Sequence, residues 1–240
     1  MTPALLAQVM EASWPPKSVA RIGPWAIRDG AQGGKRVSAA TAEAAWTVSD
    51  IAVAEAAMHA LGQLALFAIR VGDEALDAAL HDQGYALRDP VVAYVGDCAT
   101  LAQPAAPRLR SFAHWPPMQI AVQLWDDAGI DAARRAVMDR VVGDRSVILA
   151  RTADRPAGVA FVALVPTDQG AIAMLHALEV APQFRRQGSA QNILRTAAGW
   201  AQARGADRLA LVVTRANDAA RGLYAGMGMQ VAGQYHYRER

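Results

Sequence analysis

The last third of the chain combines short apolar runs with a segment that carries apolar residues at helical spacing. Residues 171–180 and 208–214 are apolar runs of strand length, which predicts two buried strands. Between them, the apolar residues fall on one face of a helix of about four turns: Ile193, Leu194, Ala197, Trp200 and Ala201. We expect this helix to end near Arg204, because Gly205 can supply the left-handed residue that commonly follows a helix.

The rest of the chain predicts a mixture of short helices and short strands. In the first half the pattern predicts helices at 3–12, 50–61 and 74–83, strands at 64–70 and 90–95, and a hairpin of 24–28 with 36–40 around a turn at 30–34. In the second half it predicts a helix at 130–142, strands at 146–151, 158–165 and 230–238, and a short helix after Asn217. These elements place the chain in the α/β (α+β) class.

Prolines mark a boundary near the middle of the chain. With 240 residues and 53% hydrophobic content, the chain can bury one large core or two small ones. Residues 103–107 and 115–117 are rich in proline and interrupt both helical and strand periodicity. We therefore predict two units, residues 1–103 and residues 118–240, joined by a linker at 104–117.

Composition and charge narrow the choice of compartment and partner. The chain has no apolar run of about 18 residues, and its start has no basic region before an apolar core, so we expect neither a membrane-spanning helix nor a secretory signal. The single cysteine, Cys98, fits a cytoplasmic protein and is interpreted as a core residue. Net charge is −2 up to residue 110 and +4 beyond it, which suits an anionic cofactor in the second half. The basic residues form no dense stripe with aromatic residues, which argues against nucleic acid as a partner.

The segment from Leu178 to Ala190 predicts a phosphate-binding turn. An apolar strand leads there into a sharp turn and then into the long helix. The first amides of that helix have no intrahelical acceptor, and the helix dipole adds positive charge at the same end. Gly188, Ser189 and Ala190 are small, so a pyrophosphate can approach the backbone N–H groups directly.

The spacing Arg185-x-x-Gly188-x-Ala190 resembles the coenzyme A-binding turn of the GNAT N-acetyltransferase superfamily. Residues 217–229 resemble the superfamily's Asn-x-x-Ala-x-x-Leu-Tyr-x-x-x-Gly-(Phe/Met) helix, in the same order along the chain. The resemblance implies the GNAT fold, a mixed and mostly antiparallel sheet flanked by helices, with acetyl-CoA as co-substrate. It assigns coenzyme contacts to Leu178, Val180, Arg185, Arg186, Gln187, Gly188, Ser189, Ala190 and Asn217. Asn217 is equally suited to cap its own helix.

The first half has no such turn after a strand. Its order of elements, including a short helix before the turn at Gly84 and Tyr85, is similar to the degenerate first lobe of two-lobed GNAT proteins. We therefore predict two GNAT-like lobes, of which only the second binds coenzyme.

Acetyl transfer to an amine also needs a polarised carbonyl, a base and a proton for the leaving thiolate. The resemblance implies that the Val180 amide polarises the carbonyl and that the Tyr224 phenol protonates the thiolate, and an aromatic residue at that spacing also suits a core position. His176 is the first candidate for the base, because a histidine is mostly neutral at cytoplasmic pH. The equal alternative to a base is a structural histidine on a half-buried strand, whose ring nitrogens are already hydrogen-bonded within the protein. Glu179 is the second candidate, since strand alternation places it on the opposite face unless a bulge breaks the period.

The acceptor site has fewer markers in the sequence. The stretch from Gly30 to Arg36 is not a nucleotide P-loop. That motif needs a glycine at position 29 and a Ser or Thr after the lysine, and the chain has Asp29 and Arg36 there. We interpret it as a glycine-rich turn whose Arg36 either lines the acceptor site or is solvated. His236, with its neighbour Tyr237, is a further candidate on the last strand. No metal site is expected.

The leading hypothesis is therefore an acetyl-CoA-dependent N-acetyltransferase whose acceptor is the primary amine of a small molecule, attacked directly in a ternary complex. Two alternatives stay open. One is a catalytically inactive, coenzyme A-binding regulatory or interaction protein, and the other is an acetyltransferase acting on a protein or tRNA. A homodimer is compatible with each of them.

Overall fold

A computed structural model describes residues 1–240. The first half contains helices and strands in the order α1 (Pro3–Ser13), β1 (Ser18–Ile22), β2 (Trp25–Asp29), α2 (Lys35–Ser38), β3 (Thr41–Ala42), α3 (Val48–Ala60), β4 (Leu66–Ile69), α4 (Glu74–Asp82), β5 (Ala86–Asp97) and α5 (Cys98–Leu101). Local chemistry defines the first helix: Thr2 Oγ1 accepts from the Leu5 N–H at 3.2 Å, and Pro3 occupies the first turn, where its missing N–H costs nothing.

The second half continues with β6 (Ser111–His114), α6 (Gln119–Asp127), α7 (Ala132–Asp139), β7 (Arg145–Thr152), β8 (Arg155–Val165), β9 (Ala171–Val180), α8 (Ser189–Gln202), β10 (Ala206–Thr214), α9 (Asp218–Gly226) and β11 (Gln230–Glu239). A short 3₁₀ turn, Pro182–Phe184, precedes α8. Gly205 follows α8 with a φ of +83°, as the sequence predicts for the helix end. No helix combines the length and the apolar character that crossing a bilayer would require.

Eight strands form one sheet in the order β4-β11-β5-β10-β9-β8-β7-β6, and β1, β2 and β3 form a separate small sheet. Neighbours in the large sheet are antiparallel, except that β9 and β10 run parallel. The predicted mixed, mostly antiparallel sheet flanked by helices is confirmed. Pairing of β9 with β10 ends at Leu175 and Leu211, so the rest of β9 leaves its neighbour and a gap opens in the sheet.

Helices cover both faces of the large sheet. Helix α8 packs its apolar face on one side, where Ile193, Leu194 and Ala197 are fully buried, and this confirms its predicted core face. The opposite side is covered by α6 and α7, and Trp125 of α6 is fully buried there against the sheet. Cys98 is also buried, and burial raises the pKa of its thiol to about 12, in keeping with its interpretation as a core residue.

The two halves of the chain share the large sheet. Strand β11 of the second half lies between β4 and β5 of the first half, and β5 pairs with β10. Residues 111–114, inside the predicted linker, form the edge strand β6 and pair with β7. The boundaries at 1–103 and 118–240 stay a prediction.

The structure corrects the secondary-structure prediction at residues 36–40, at β1 and at α6. Residues 36–40 do not form a strand: the chain turns at 30–34 into α2, and the hairpin is made by β1 and β2. Strand β1 was missed because most of its side chains are exposed and it carries no apolar alternation. Helix α6 was also missed, since prolines precede it and only Ala121 and Trp125 mark its buried face.

Candidate active site

The gap between β9 and β10 opens beside a bulge in β9. The three-residue step from His176 to Glu179 is matched by only two residues of β8, so β9 carries one extra residue. Ala177 takes the left-handed φ of +50° that accommodates it. Trp125 Nε1 donates to the Ala177 carbonyl oxygen at 2.9 Å, which holds the bulge against α6.

The bulge brings His176 and Glu179 to the same face of the sheet. Residues three positions apart point to opposite faces in a regular strand, and one extra residue between them reverses this. Both side chains line a cavity of about 530 Å³ at the gap, which we call the central cavity. The bulge on which the candidacy of Glu179 depended is therefore present.

His176 is buried, and both of its ring nitrogens have partners. Arg36 Nη1 lies 2.9 Å from Nδ1, and because a guanidinium can only donate, Nδ1 is the acceptor. Nε2 therefore carries the proton and donates to Ser13 Oγ at 2.9 Å, which itself donates to the Val9 carbonyl oxygen at 2.6 Å. Burial, followed by the Arg36 charge, holds the pKa of His176 well below its usual range.

This arrangement argues against His176 as the base, the first candidate from the sequence. The nitrogen that would take a proton already accepts from Arg36. Protonation would place an imidazolium against a guanidinium inside the protein, where two cations repel strongly. The alternative that the sequence left open, a satisfied histidine on a half-buried strand, describes this environment better.

Glu179 is half-buried and faces the central cavity. Loss of solvent raises the pKa of its carboxyl group, and the charges of Arg185 and Arg134 oppose this only in part. A carboxylate with a raised pKa holds a proton more firmly than an ordinary one, which improves it as a general base. Of the two candidates, Glu179 is the better placed to accept a proton, and its role as the base stays a prediction.

Tyr224 and Asn217 line the central cavity from α9. Burial, and then the charge of Glu179, raise the pKa of Tyr224 to about 12, so its phenol stays protonated at neutral pH. The Asn217 side chain accepts from the Ala220 N–H at 3.1 Å at the start of α9, which confirms the predicted helix cap. Its position on the cavity wall leaves the predicted coenzyme contact as a prediction.

A tight turn leads from the end of β9 into α8. Arg186 and Gly188 have left-handed φ values of +60° and +84°, with Gln187 between them. Gly188 is the N-cap residue, and neither a capping side chain nor an acidic residue occupies the start of α8. A Cβ at Gly188 would find no atom within 4 Å, so the space above the helix start is open. The backbone from Gly188 to Ala190 can therefore meet an anion directly.

Two side chains of this turn bond within the protein. Ser189 Oγ lies 2.8 Å from Thr152 Oγ1 in a buried contact with the end of β7, so Ser189 can offer the coenzyme only its backbone. Arg185 Nε donates to the Val180 carbonyl oxygen at 3.1 Å. That bond fixes the Arg185 guanidinium at the end of β9, beside Glu179.

The amide of Val180 points toward the gap in the sheet. Ala181 N–H donates to the Ala157 carbonyl oxygen of β8 at 2.9 Å, outside the last paired residues of β9. Because consecutive N–H groups point to opposite sides of a strand, the Val180 N–H points away from β8. Leu178, two residues earlier, packs under α8 and lines the cavity.

Helix α3, the longest helix of the first half, begins differently from α8. Its Thr47 and Asp50 form a capping box, in which the Thr47 N–H donates to Asp50 Oδ2 at 2.7 Å. The Asp50 carboxylate thus brings negative charge to the end of the helix that would attract a phosphate. Of these two helices, only α8 begins with uncapped amides.

The first half of the chain contributes one wall of the central cavity. Gly33 packs so closely on α7 that a Cβ there would lie 2.6 Å from Val137 Cγ2, and this contact holds the turn that precedes Arg36. Arg36 lines the cavity, as do Tyr235 and Tyr237 of β11. The prediction that Arg36 lies at the acceptor site is therefore favoured over a solvated position.

His236 does not line the central cavity, and its predicted position is corrected. Its Nε2 lies 2.8 Å from Asp77 Oδ1 of α4. Strand alternation explains this, because Tyr235 and Tyr237 share one face of β11 and His236 points to the other. The same carboxylate also accepts from Arg238, so His236 belongs to a structural ion-pair cluster.

Three residues of the site were not found from the sequence: Ser13, Trp125 and Arg134. Each acts over a long sequence separation, Ser13 on His176 and Trp125 on the bulge. A tryptophan predicted to be buried would have pointed to an N–H in need of an acceptor. Neither Ser13 nor Arg134 belongs to a local motif.

Comparison with known proteins gives one family match. The model of the Acetyltransferase (GNAT) family matches residues 113–229, from within β6 to the residue before β11, and the match includes α8 and the elements β9, β10 and α9 that line the central cavity. A search of curated protein sequences found no significant match.

Solved structures are similar to the chain over nearly its whole length. A GCN5-related N-acetyltransferase from Kribbella flavida has a TM-score of 0.70 and 15% identity, covering 99% of this chain and 95% of its own. A conserved protein of unknown function from Staphylococcus epidermidis has a TM-score of 0.71 and 14% identity, covering 95% and 94%. A tandem GNAT protein from the clavulanic acid biosynthesis pathway has a TM-score of 0.64 and 14% identity, covering 98% and 87%. At these identities the similarity is one of fold, and it extends to both halves of the chain.

Proposed function

We propose that the chain transfers an acetyl group from acetyl-CoA to the primary amine of a small molecule, on the premise that residues 113–229 match the model of the Acetyltransferase (GNAT) family. One observation carries the proposal. A half-buried carboxylate, Glu179, and a protonated phenol, Tyr224, line a single cavity where β9 leaves β10. The uncapped start of α8 lies at the end of the same strand.

Acetyl-CoA binds with its pyrophosphate over the start of α8. The amides from Gly188 to Ala190 and the flanking Arg186 meet the phosphates, and the open space above Gly188 admits them. The pantetheine arm then runs through the gap between β9 and β10, along Leu178 and Asn217. This path directs the thioester toward Glu179 and Tyr224.

The reaction is a direct attack of the amine on the thioester. The Val180 N–H donates to the carbonyl oxygen, which stabilises the negative charge of the tetrahedral intermediate. Glu179 takes a proton from the attacking amine, directly or through a water. The new C–N bond then remains, the C–S bond breaks, and the electron pair leaves with sulfur as a thiolate, which takes up the proton that Glu179 releases, directly or through water.

His176 has a structural role in this site and does not exchange protons with the substrate. Its neutral ring accepts from Arg36 and donates to Ser13, so it links α1 to the cavity wall and orients the Arg36 guanidinium. A ring whose pKa is held below its usual range keeps this neutral form through the physiological pH range.

Tyr224→Phe is expected to lower kcat by roughly 10- to 100-fold, the worth of one hydrogen bond to a charged group. With a pKa of about 12, the phenol is a weak acid that serves mainly by donating a hydrogen bond to the departing thiolate. Affinity for acetyl-CoA should be nearly unchanged, since the hydroxyl acts only as charge develops on sulfur. Steady-state kinetics and calorimetric titration measure the two effects, and an unaltered kcat would reduce Tyr224 to a core residue.

We expect one coenzyme per chain. The start of α8 is uncapped, whereas Asp50 places a carboxylate at the start of α3. Calorimetric titration of acetyl-CoA should therefore give a stoichiometry of one, with the site lost on mutation of the α8 turn alone. Two equivalent sites per chain would contradict the assignment of a degenerate first half.

The proposed function is tested with a panel of small primary amines, by following release of free thiol from acetyl-CoA. Thiol release that depends on the amine, together with an N-acetylated product, supports the enzyme. One-to-one binding of coenzyme without turnover on any amine would favour the coenzyme-binding regulatory protein. Turnover restricted to a protein or tRNA would redirect the acceptor class.

A further inference from the structure

The central cavity contains more positive charge than acetyl transfer requires. Lys35 is paired at 2.9 Å with Asp89, which also lies on the wall, and at 3.1 Å with Glu239, so Lys35 adds no unpaired positive charge. The other charged groups on the cavity wall are one carboxylate, that of Glu179, and two guanidinium groups, those of Arg36 and Arg134. His176 is neutral, because its pKa lies well below the usual range, and burial raises the pKa of Tyr224 and of Tyr237, so both phenols keep their protons at neutral pH.

Arg36 has unused hydrogen-bonding capacity inside the protein. Its Nη1 donates to His176, but its Nε is buried with no partner. A buried donor without an acceptor is costly, and an acceptor supplied by a ligand in the cavity would remove that cost. No carboxylate lies within ion-pair distance of this side chain, in contrast to Arg28 and Arg70 of the same half.

Arg134 lies at the rim of the cavity on α7, with an exposed side chain. Partial desolvation and the charge of Arg36 lower its pKa, while Glu179 and Asp131 act in the opposite direction. Two arginines that repel each other across a cavity gain when an anion enters between them. The neighbouring Arg135, by comparison, is paired with Asp126.

We propose that the acceptor carries a carboxylate close to its amine, as an amino acid does, and that Arg36 and Arg134 bind this carboxylate while Glu179 receives the proton of the amine. This inference rests on the proposed function and names its substrate class. A planar guanidinium matches a carboxylate with two parallel hydrogen bonds. The balance of charge favours a carboxylate over a phosphate, because the cavity's excess is one positive charge and a phosphate brings about −1.5 to −2.

The experiment compares amino acids with their C-terminal amides as acceptors. Each pair keeps the same side chain and differs in the carboxylate, and because the amine of the amide is less basic, kcat/KM is expressed per concentration of free amine. For wild type, kcat/KM should be about 10- to 100-fold higher for the acid, the range for a charge-assisted hydrogen bond. Arg134→Gln should remove most of this preference, because turnover of the acid should fall much further than that of the amide; a small change common to both would follow from the loss of the Arg134 charge beside Glu179.

Arg204→Gln is the matched control, because it removes one positive charge from an arginine that stacks on Trp200, away from the cavity. It should keep the wild-type preference. Arg36→Lys, which retains the charge and loses the fork, should lower the preference without abolishing it. Equal use of acid and amide by wild type, or equal loss of both in Arg134→Gln, would overturn the inference and leave acetyl transfer intact.

Binding gives a second readout that needs no turnover. With coenzyme A bound, calorimetric titration with N-acetylated amino acids should show tighter binding than with their amides, and Arg134→Gln should remove the difference. If no amine is acetylated and acid and amide bind alike, both the proposed function and the inference fail. If the difference in binding persists without turnover, the carboxylate site stands and only catalysis is excluded.

Discussion

Glu179→Gln is expected to lower kcat by roughly 100-fold or more, the usual contribution of a general base. Glutamine keeps the size of the side chain and a hydrogen-bonding group, but it cannot take the proton of the attacking amine. Binding of acetyl-CoA should be nearly unchanged, because the coenzyme's phosphates meet the start of α8 rather than this residue. Steady-state kinetics with a saturating acceptor, together with calorimetric titration, separate the two effects.

The pH dependence of kcat distinguishes Glu179 from His176. In wild type, kcat should rise with pH as Glu179 loses its proton, at a pH above that of an ordinary glutamate because burial raises its pKa. Glu179→Gln should lack this rise. His176→Gln is the control: the ring is already neutral, since its pKa lies well below the usual range, so the rise should stay in place. A rise that survives in Glu179→Gln and disappears in His176→Gln would return the role of base to His176.

Gly188→Val is expected to weaken acetyl-CoA binding by roughly 100-fold or more, because phosphate oxygens would lose several charge-assisted hydrogen bonds. Gly188 has a φ of +84°, which a β-branched residue adopts only with strain, and its Cβ would project into the open space above α8. Both effects prevent the phosphate oxygens from reaching the backbone N–H groups at the start of α8. Calorimetric titration of the folded variant measures the loss.

Gly205→Val is the matched control at the other end of α8. Gly205 has a φ of +83° and equally open surroundings, so the cost in stability should be similar. Its distance from the turn leaves coenzyme binding intact. Equal affinities in the two variants would mean that the phosphates bind elsewhere.

The tight turn at Gly188 could be predicted from the sequence because it is local. The strand, the turn at Gly188 and the amphipathic face of α8 all depend on residues within one short stretch, and the same holds for Asn217 as the cap of α9. Local propensity, a capping residue and helical periodicity are visible in the chain itself. The structure places these elements as the pattern indicates.

The choice of base could not be predicted in the same way. The face on which Glu179 lies depends on a single extra residue at Ala177, and Trp125, distant in sequence, holds that bulge. Strand alternation alone places Glu179 behind His176. The partners that occupy its ring, Arg36 and Ser13, also come from the other half of the chain.

One wall of the central cavity depends on the order of strands in the sheet. Tyr235 and Tyr237 reach the cavity because β11 lies between β4 and β5, and Arg36 reaches it through a turn packed on α7. Such pairings join segments far apart in sequence and leave no periodic trace. His236 was misplaced for this reason, since its face of β11 is set by the sheet and not by its own neighbours.

The most direct test of acetyl transfer is the mass of the acceptor after reaction with acetyl-CoA carrying an isotope-labelled acetyl group. We predict that wild type moves the label onto the amine of an amino acid in an amount equal to the thiol released. Glu179→Gln, saturated with the same coenzyme, should transfer it at least about 100-fold more slowly. An acceptor that stays unlabelled with wild type, while coenzyme binds with a stoichiometry of one, would contradict the account and identify the chain as a coenzyme-binding protein.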